Sequence, residues 1–291
     1  MSISAKDVMA LRQKTGAGMM DCKKALAETN SDIQAAIKWL REKGISSAAK
    51  RAGRTANEGR IAVAINGDAT KAAIVELNSE TDFVAMNEEF IQLTNDLVAK
   101  ALEKAVSADD NGLIPTNSFD LDPATQLAGK IGENIGLARA GALSGTFVDS
   151  YIHPGDLLGV LLLLVGDGAK TDAGKVLAHD LTMQIAAASP QFVTRDQVPK
   201  EVAEKEKEIY KTQMRNEGKP EEMLEKISTG KLNKFYEEIC LVDQVYVKEQ
   251  KQKVRDRIAE AVKAAGAPIE VKAFLRFKVG ETASESEDKG E

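Results

Sequence analysis

A strand–turn–strand–helix pattern occurs twice in this chain, 86 residues apart, and it constrains the fold more than any other feature. In the first copy, residues 59–65 (GRIAVAI) alternate, turn at Asn66-Gly67-Asp68 and resume over 72–77. Asn-Gly between two alternating runs is a strong short-range hairpin signal. A helix is predicted to follow from Asp82 through Phe90, Leu93, Leu97 and Leu102. In the second copy, 145–151 lead to a turn at His153-Pro154-Gly155-Asp156 and a strand over 158–163. The next helix, 173–188, sets Val176, Leu177, Leu181 and Ile185 on one face. Such a recurrence predicts an α+β fold with a duplicated core of antiparallel sheets. One subdomain covers 59–140, and the other covers 141–198 and 228–265.

Three short helices precede this core within residues 1–45. Ser4 opens the first, which buries Val8 and Leu11. The second presents Met19, Met20, Cys22, Ala25 and Leu26 inward, after a link in which Gly16 and Gly18 permit a tight turn. Asn30 or Ser31 caps the third, whose Ile33, Ala36, Ile37 and Leu40 recur at helical spacing, and Gly44 ends it. Residues 46–58 form a basic linker, and 109–123, broken by Gly112, Pro115 and Pro123, read as a surface loop. Two charged helices joined by Gly218-Lys219-Pro220 predict a protruding antiparallel hairpin over 199–227. Phe235, Ile239 and Val242 mark another helix, and 254–265 a further one. Residues 269–279 alternate strictly as a half-buried strand, and the acidic stretch 281–291 is expected to be disordered.

Composition narrows the function classes. Two histidines and two cysteines in 291 residues are too few for an imidazole zinc site or a thiolate cluster. Cys22 and Cys240 lie in apolar helical patterns and read as free core thiols; His179 reads as a partly buried helix residue and His153 as exposed. No GxxxxGK[ST] is present, and Gly166-Asp167-Gly168 lacks the dinucleotide fingerprint. No acidic pair is marked as an acid/base couple. The expectation is a protein without covalent chemistry, cofactor or metal. Met1-Ser2-Ile3-Ser4 has no apolar leader pattern, and the longest greasy run, 157–165, is too short to span a bilayer as a helix. A cytoplasmic protein with no membrane contact is expected.

Charge is uneven along the chain. Residues 1–55 hold 11 Lys or Arg against 5 Asp or Glu, so the head is basic while the whole chain carries −6. Trp39 is the only aromatic residue there, so no base-stacking platform accompanies the charge. A solvated basic face is the preferred reading, and no direct nucleic-acid contact is expected.

The unusual stretch is ELNSETDFVAMN at 76–87. A buried strand enters a polar turn, Thr81 or Asp82 caps a helix, and Phe83 falls in its first turn. On one reading Asp82 satisfies helix N–H groups and Phe83 staples the turn into the core. On the other, Phe83 projects as a wedge with the Asp82 charge beside it. From the residues alone the packing reading is preferred.

LRQKTGAGMMDCKKAL at 11–26 and the 76–87 stretch resemble two signatures of the bacterial translation elongation factor Ts family. KIGENI at 130–135, YIHPG at 151–155, AAASP at 186–190 and FLRFKVGE at 274–281 are similar to further family segments. The resemblance implies a ubiquitin-associated-like N-terminal module, a two-part α+β core, an inserted helical hairpin and a small C-terminal module, here 266–280. It also implies a guanine-nucleotide exchange factor for the GTPase elongation factor Tu. By the same resemblance, Asp82 and Phe83 enter the partner's G domain near its magnesium and phosphate elements. Lys23 contacts the G domain, and Ile131, Gly132 and His153 grip another domain. Met86 stands where the family often has Lys or Arg, and 109–123 match no functional motif. The hairpin is expected either to pair two copies or to reach for the partner. The alternative reading is an interaction protein of the same fold that binds a GTPase or RNA without promoting exchange.

Overall fold

The two alternating hairpins become two antiparallel sheets in the computed structural model, which describes residues 3–43, 51 and 53–281. Strand β1 (Glu58–Ile65) pairs with β2 (Lys71–Ser79), Glu58 opposite Ser79 and Ile65 opposite Ala72. Their turn is closed by Asn66, whose Oδ1 accepts the N–H groups of Thr70 and Lys71 at 2.9 and 2.8 Å. Helices α1 (Ala5–Thr15), α2 (Met19–Glu28) and α3 (Ile33–Glu42) precede them. Strands β3 (Leu113–Ile114) and β4 (Gly136–Ser144) complete the first sheet in the order β1-β2-β4-β3. The second sheet has the order β5 (Phe147–Ile152), β6 (Leu158–Val165), β9 (Glu270–Lys278).

The sheets lie face to face between two helical layers. Outside the first are α4 (Asp82–Ala85), α5 (Glu88–Glu103) and α6 (Asp122–Ile131). Outside the second are α7 (Asp172–Ala188) and α10 (Val254–Ala265). Period-two geometry sorts the apolar residues: Val75 and Leu77 meet the α5 layer, whereas Ile74 turns into the space between sheets. Likewise Leu162 and Leu164 face α7, while Leu161 and Leu163 meet Leu275 and Phe277 between the sheets. Strands β2 and β6 are therefore buried on both faces, which explains their continuous apolar runs. Each such side chain contributes about 1.5–3 kcal/mol on full burial. Gly159 permits the close approach: a Cβ there would stand 2.5 Å from Ile61 Cγ2.

The N-terminal helices enclose Leu11, Leu26 and Leu40, and α1 packs on α6. Gly16 at φ 60° ends α1. Asp32, rather than Asn30 or Ser31, caps α3, its carboxylate accepting the Gln34 and Ala35 N–H groups. Asn30 and Ser31 instead turn the chain at φ 52° and 65°. Met19 and Met20 are exposed, because Cys22, Ala25 and Leu26 already fill the inner face of α2.

Other expectations are corrected. The helix expected from 82 onward breaks after Ala85 and restarts at Glu88, with Asn87 Oδ1 accepting the Glu89 N–H at 2.8 Å. The 109–123 loop is anchored, with Ile114 paired in β3 and Phe119 buried, and α6 begins at its end. Strand β4 crosses the expected 140/141 boundary. Residues 270–278 are the third strand of the second sheet instead of a separate module. The hairpin consists of α8 (Lys200–Asn216) and α9 (Glu221–Ile239), the latter running without a break past residue 227 into the place of the expected separate helix. A small ribbon, β7 (Val245–Tyr246) with β8 (Glu249–Lys253), follows. Val176 and His179 are exposed, since Leu177, Ala178 and Leu181 take the inner face of α7. Both cysteines are free and buried. The Gly44 stop, Ile45, linker residues 46–50 and 52, and the tail beyond Glu281 lie outside the described residues. Among the described residues, no helix is long and apolar enough to cross a membrane.

Candidate functional site

Strand β2 delivers the chain through Glu80 and Thr81 into the single turn of α4. Val84 and Ala85 face the first core beside Phe90 and Leu93. Positions 83 and 86, three apart, share the opposite side of the turn. Phe83 is consequently 80% exposed and Met86 67% exposed. The packing reading of Phe83 is therefore wrong: Val84 and Ala85 occupy the inner places, and the fully buried Phe90 supplies the aromatic volume. Asp82 is exposed beside Phe83. Thr81 stands at the N-cap of α4 but makes no side-chain cap bond.

The turn is instead held from 52 residues away. Glu133 Oε1 accepts the Thr81 hydroxyl at 2.8 Å and Oε2 accepts the Thr81 N–H at 3.1 Å. Reciprocally, Glu80 Oε1 accepts the Asn134 N–H at 2.6 Å. Arg54 closes the knot, its Nη1 donating to Glu80 Oε1 at 3.2 Å and to the Gly132 carbonyl at 3.4 Å. Asn134 Nδ2 donates to the Arg54 carbonyl at 2.8 Å. Gly132, at φ 93°, ends α6 and lets the chain double back. Asp82, Phe83, Ile131 and Gly132 thus share one corner of the molecule.

The other two residues singled out lie on adjoining elements. His153 is exposed in the β5–β6 turn and its Nδ1 lies 2.9 Å from the Tyr151 hydroxyl. That turn docks on β1, where the Ile61 N–H donates to the Asp156 carbonyl at 2.7 Å and Arg60 pairs with the Asp156 carboxylate. Since Arg60 faces Leu77 and Glu58 faces Ser79, His153 belongs to the same end of the sheets as the Phe83 turn. Lys23 is exposed on α2, which packs on α1, and α1 in turn packs on α6. Arg12, Lys14 and Lys130 line a cleft of ≈ 670 Å³ between those two helices. Among the described residues, no group of three His, Cys, Asp or Glu is placed to hold a metal ion.

Arg54, Glu80, Glu133 and Asn134 received no role from sequence reasoning. One signal was available. Thr81 is followed three residues later by Val84 rather than Glu or Gln, so no reciprocal capping partner exists within α4.

Comparison with known proteins agrees with the motif resemblance. The family profile described as Elongation factor TS matches residues 80–281. The Elongation factor Ts of Clostridium botulinum (strain ATCC 19397 / Type A) is 44% identical over 300 residues, spanning 98% of this chain and 95% of that protein. That of the Eklund 17B / Type B strain is 44% identical over 293 residues, spanning 98% and 96%.

Proposed function

The chain belongs to the elongation factor Ts family, and from that premise we propose that it is a guanine-nucleotide exchange factor that binds elongation factor Tu carrying GDP and speeds GDP release. One observation carries the reading: Phe83 stands 80% exposed on a turn whose flanks are hydrogen-bonded in place. A bare phenyl ring on a braced turn is suited to insertion, because its apolar surface is buried only when a partner receives it. Full burial of such a side chain is worth about 1.5–3 kcal/mol.

By family analogy, Phe83 enters between side chains of the partner's G domain and shifts a helix there, with Asp82 presenting charge beside the magnesium and phosphate elements. Lys23 on α2 contacts the same domain, and Ile131, Gly132 and His153 grip a second domain. The thermodynamics follow from linkage. A factor that binds the nucleotide-free partner more tightly than the GDP-bound partner must lower GDP affinity by the same factor. Nothing in this scheme makes or breaks a covalent bond.

The test is release of a fluorescent GDP from elongation factor Tu, chased with unlabelled nucleotide. Substoichiometric amounts of this protein are expected to accelerate release, each molecule serving many partners. A release rate unchanged at saturating protein overturns the reading.

A further inference from the structure

Thr81 breaks a local rule. At an N-cap, a threonine hydroxyl ordinarily accepts a backbone N–H from the second or third helical residue. Here φ −128° and ψ 154° suit that role, yet the cap bond is not made. The hydroxyl and the N–H both point instead to the two oxygens of Glu133. Charge-assisted bonds of this kind are roughly twice as strong as neutral ones and fix direction as well as distance. A helix of one turn has few backbone bonds to hold itself. Its orientation is set by the burial of Val84 and Ala85 on one side and by what grips its first residue on the other. In this protein Phe83 stands outward.

We propose that Glu133 is a positioning residue that fixes the outward pose of Phe83, and that the Glu133–Thr81 and Glu80–Asn134 pairs make the 79–83 and 131–134 turns one rigid partner-binding unit. The proposal rests on the exchange reading above. Arg54 extends the unit toward the N-terminal module, because it bonds Glu80, Gly132 and Asn134 together. Glu133 needs no contact with the partner to act in this way.

The experiment uses the full-length chain and elongation factor Tu loaded with fluorescent GDP. Glu133→Ala is expected to lower the release rate at saturating protein about tenfold, a loss of transition-state rather than ground-state binding. Thr81→Val, which keeps the backbone N–H bond to Glu133, is expected to lower it less. Because Thr81→Val removes one of the two bonds that Glu133→Ala removes, the double variant is expected to lose no more than Glu133→Ala alone. Glu133→Gln, which keeps an acceptor for the Thr81 N–H, is expected to recover most of the rate. A readout without the partner accompanies these: amide hydrogen exchange over 82–86 in Glu133→Ala is expected to quicken at least about tenfold, while the β2 amides hold. A normal saturating rate for Glu133→Ala, unchanged exchange at 82–86, or additive losses in the double variant overturns the proposal. Phe83→Ala, run in parallel, separates the two readings. Normal release with Phe83→Ala sinks the wedge itself, whereas slow release with Phe83→Ala and normal release with Glu133→Ala sinks only the positioning role.

Discussion

Arg139 on β4 donates its Nε–H at 2.6 Å to the carboxylate of Glu76 on β2, a side chain with no exposed surface at all. The second Glu76 oxygen accepts the Gly280 N–H at 3.0 Å, and Arg139 Nη2 donates to the Lys278 carbonyl at 2.9 Å. The guanidinium also lies 4.3 Å over the Phe277 ring. One ion pair in the first sheet thereby ties down the end of the last strand in the second.

Removing Arg139 leaves a buried carboxylate without its cation. Arg139→Leu is expected to lower unfolding stability by about 3–5 kcal/mol, the cost of breaking a buried pair from one side. Glu76→Gln, which removes the buried charge but keeps one of the two acceptor oxygens, is expected to cost less. Urea unfolding of the three proteins at unchanged slope checks the order; equal midpoints for Arg139→Leu and the parent contradict it.

Phe83→Ala separates an interface role from a packing role. Truncating a fully buried Phe costs about 3–5 kcal/mol. For a ring 80% exposed, the change is expected to stay within about 0.5 kcal/mol. Exchange is expected to suffer instead: loss of a central interface anchor costs about 2 kcal/mol or more, roughly thirtyfold in affinity. Paired measurements of the urea midpoint and the concentration dependence of GDP release decide between them.

The hairpin is expected to be removable down to its base. Its buried residues Met214, Leu224 and Ser228 belong to none of the hydrophobic core clusters. Its base is another matter, because Phe235, Tyr236 and Ile239 pack with Val198 and Cys240. Arg195 ties the same region together, donating to Asn233 at 2.9 Å and to Asp243 at 2.6 Å. Replacing residues 203–229 with a short linker is expected to preserve a single cooperative thermal transition. Extending the deletion through 239 is expected to abolish it. Calorimetry on both shortened proteins tests the boundary.

Asp180 gives the protein an acid-sensitive brace. Burial pushes its carboxyl pKa upward, but hydrogen bonds from Lys248, Tyr246 and Arg257 outweigh that, so the group is held below the usual carboxylate range. Lys248 donates at 2.6 Å and Arg257 at 3.1 Å. A depressed folded pKa contributes stability that is fully present above the unfolded value of about 3.9 and is lost as pH falls through the folded value. Asp180→Asn is expected to cost about 1.5–3 kcal/mol at pH 7, in line with hydrogen bonds to a charged group. The gap between variant and parent is expected to close below about pH 4. A gap that stays constant down to pH 3 contradicts this assignment.

The hairpins, their long helices and the α+β class were legible because alternation and helical spacing report burial directly. Strand β4 was not: GLARAGALS at 136–144 has two glycines and a charged Arg139, so its pattern looks like a loop. What makes it a strand is pairing with β2 on one side and β3 on the other, a non-local cause. At the site, the 76–87 signature located the turn, but propensity favoured an inward Phe83. The outward pose depends on which neighbours fill the inside of a single helical turn, and on Glu133, fifty-two residues beyond Thr81. Hydrogen bonds across such a separation leave no period in the sequence.

Strand β9 follows every other strand in chain order, yet it completes a sheet whose middle strand, β6, ends at Val165. On a growing chain, β6 and the inner face of the first sheet must wait for Leu275 and Phe277 to arrive. Synthesis proceeds at about 5–20 residues per second, so that wait lasts roughly 5–20 s. For all of it, the β6 edge that pairs with β9 stands open to other nascent chains. A protein of translation elongation is therefore itself most vulnerable while it is being translated, and its safe delivery depends on the segment made after residue 269.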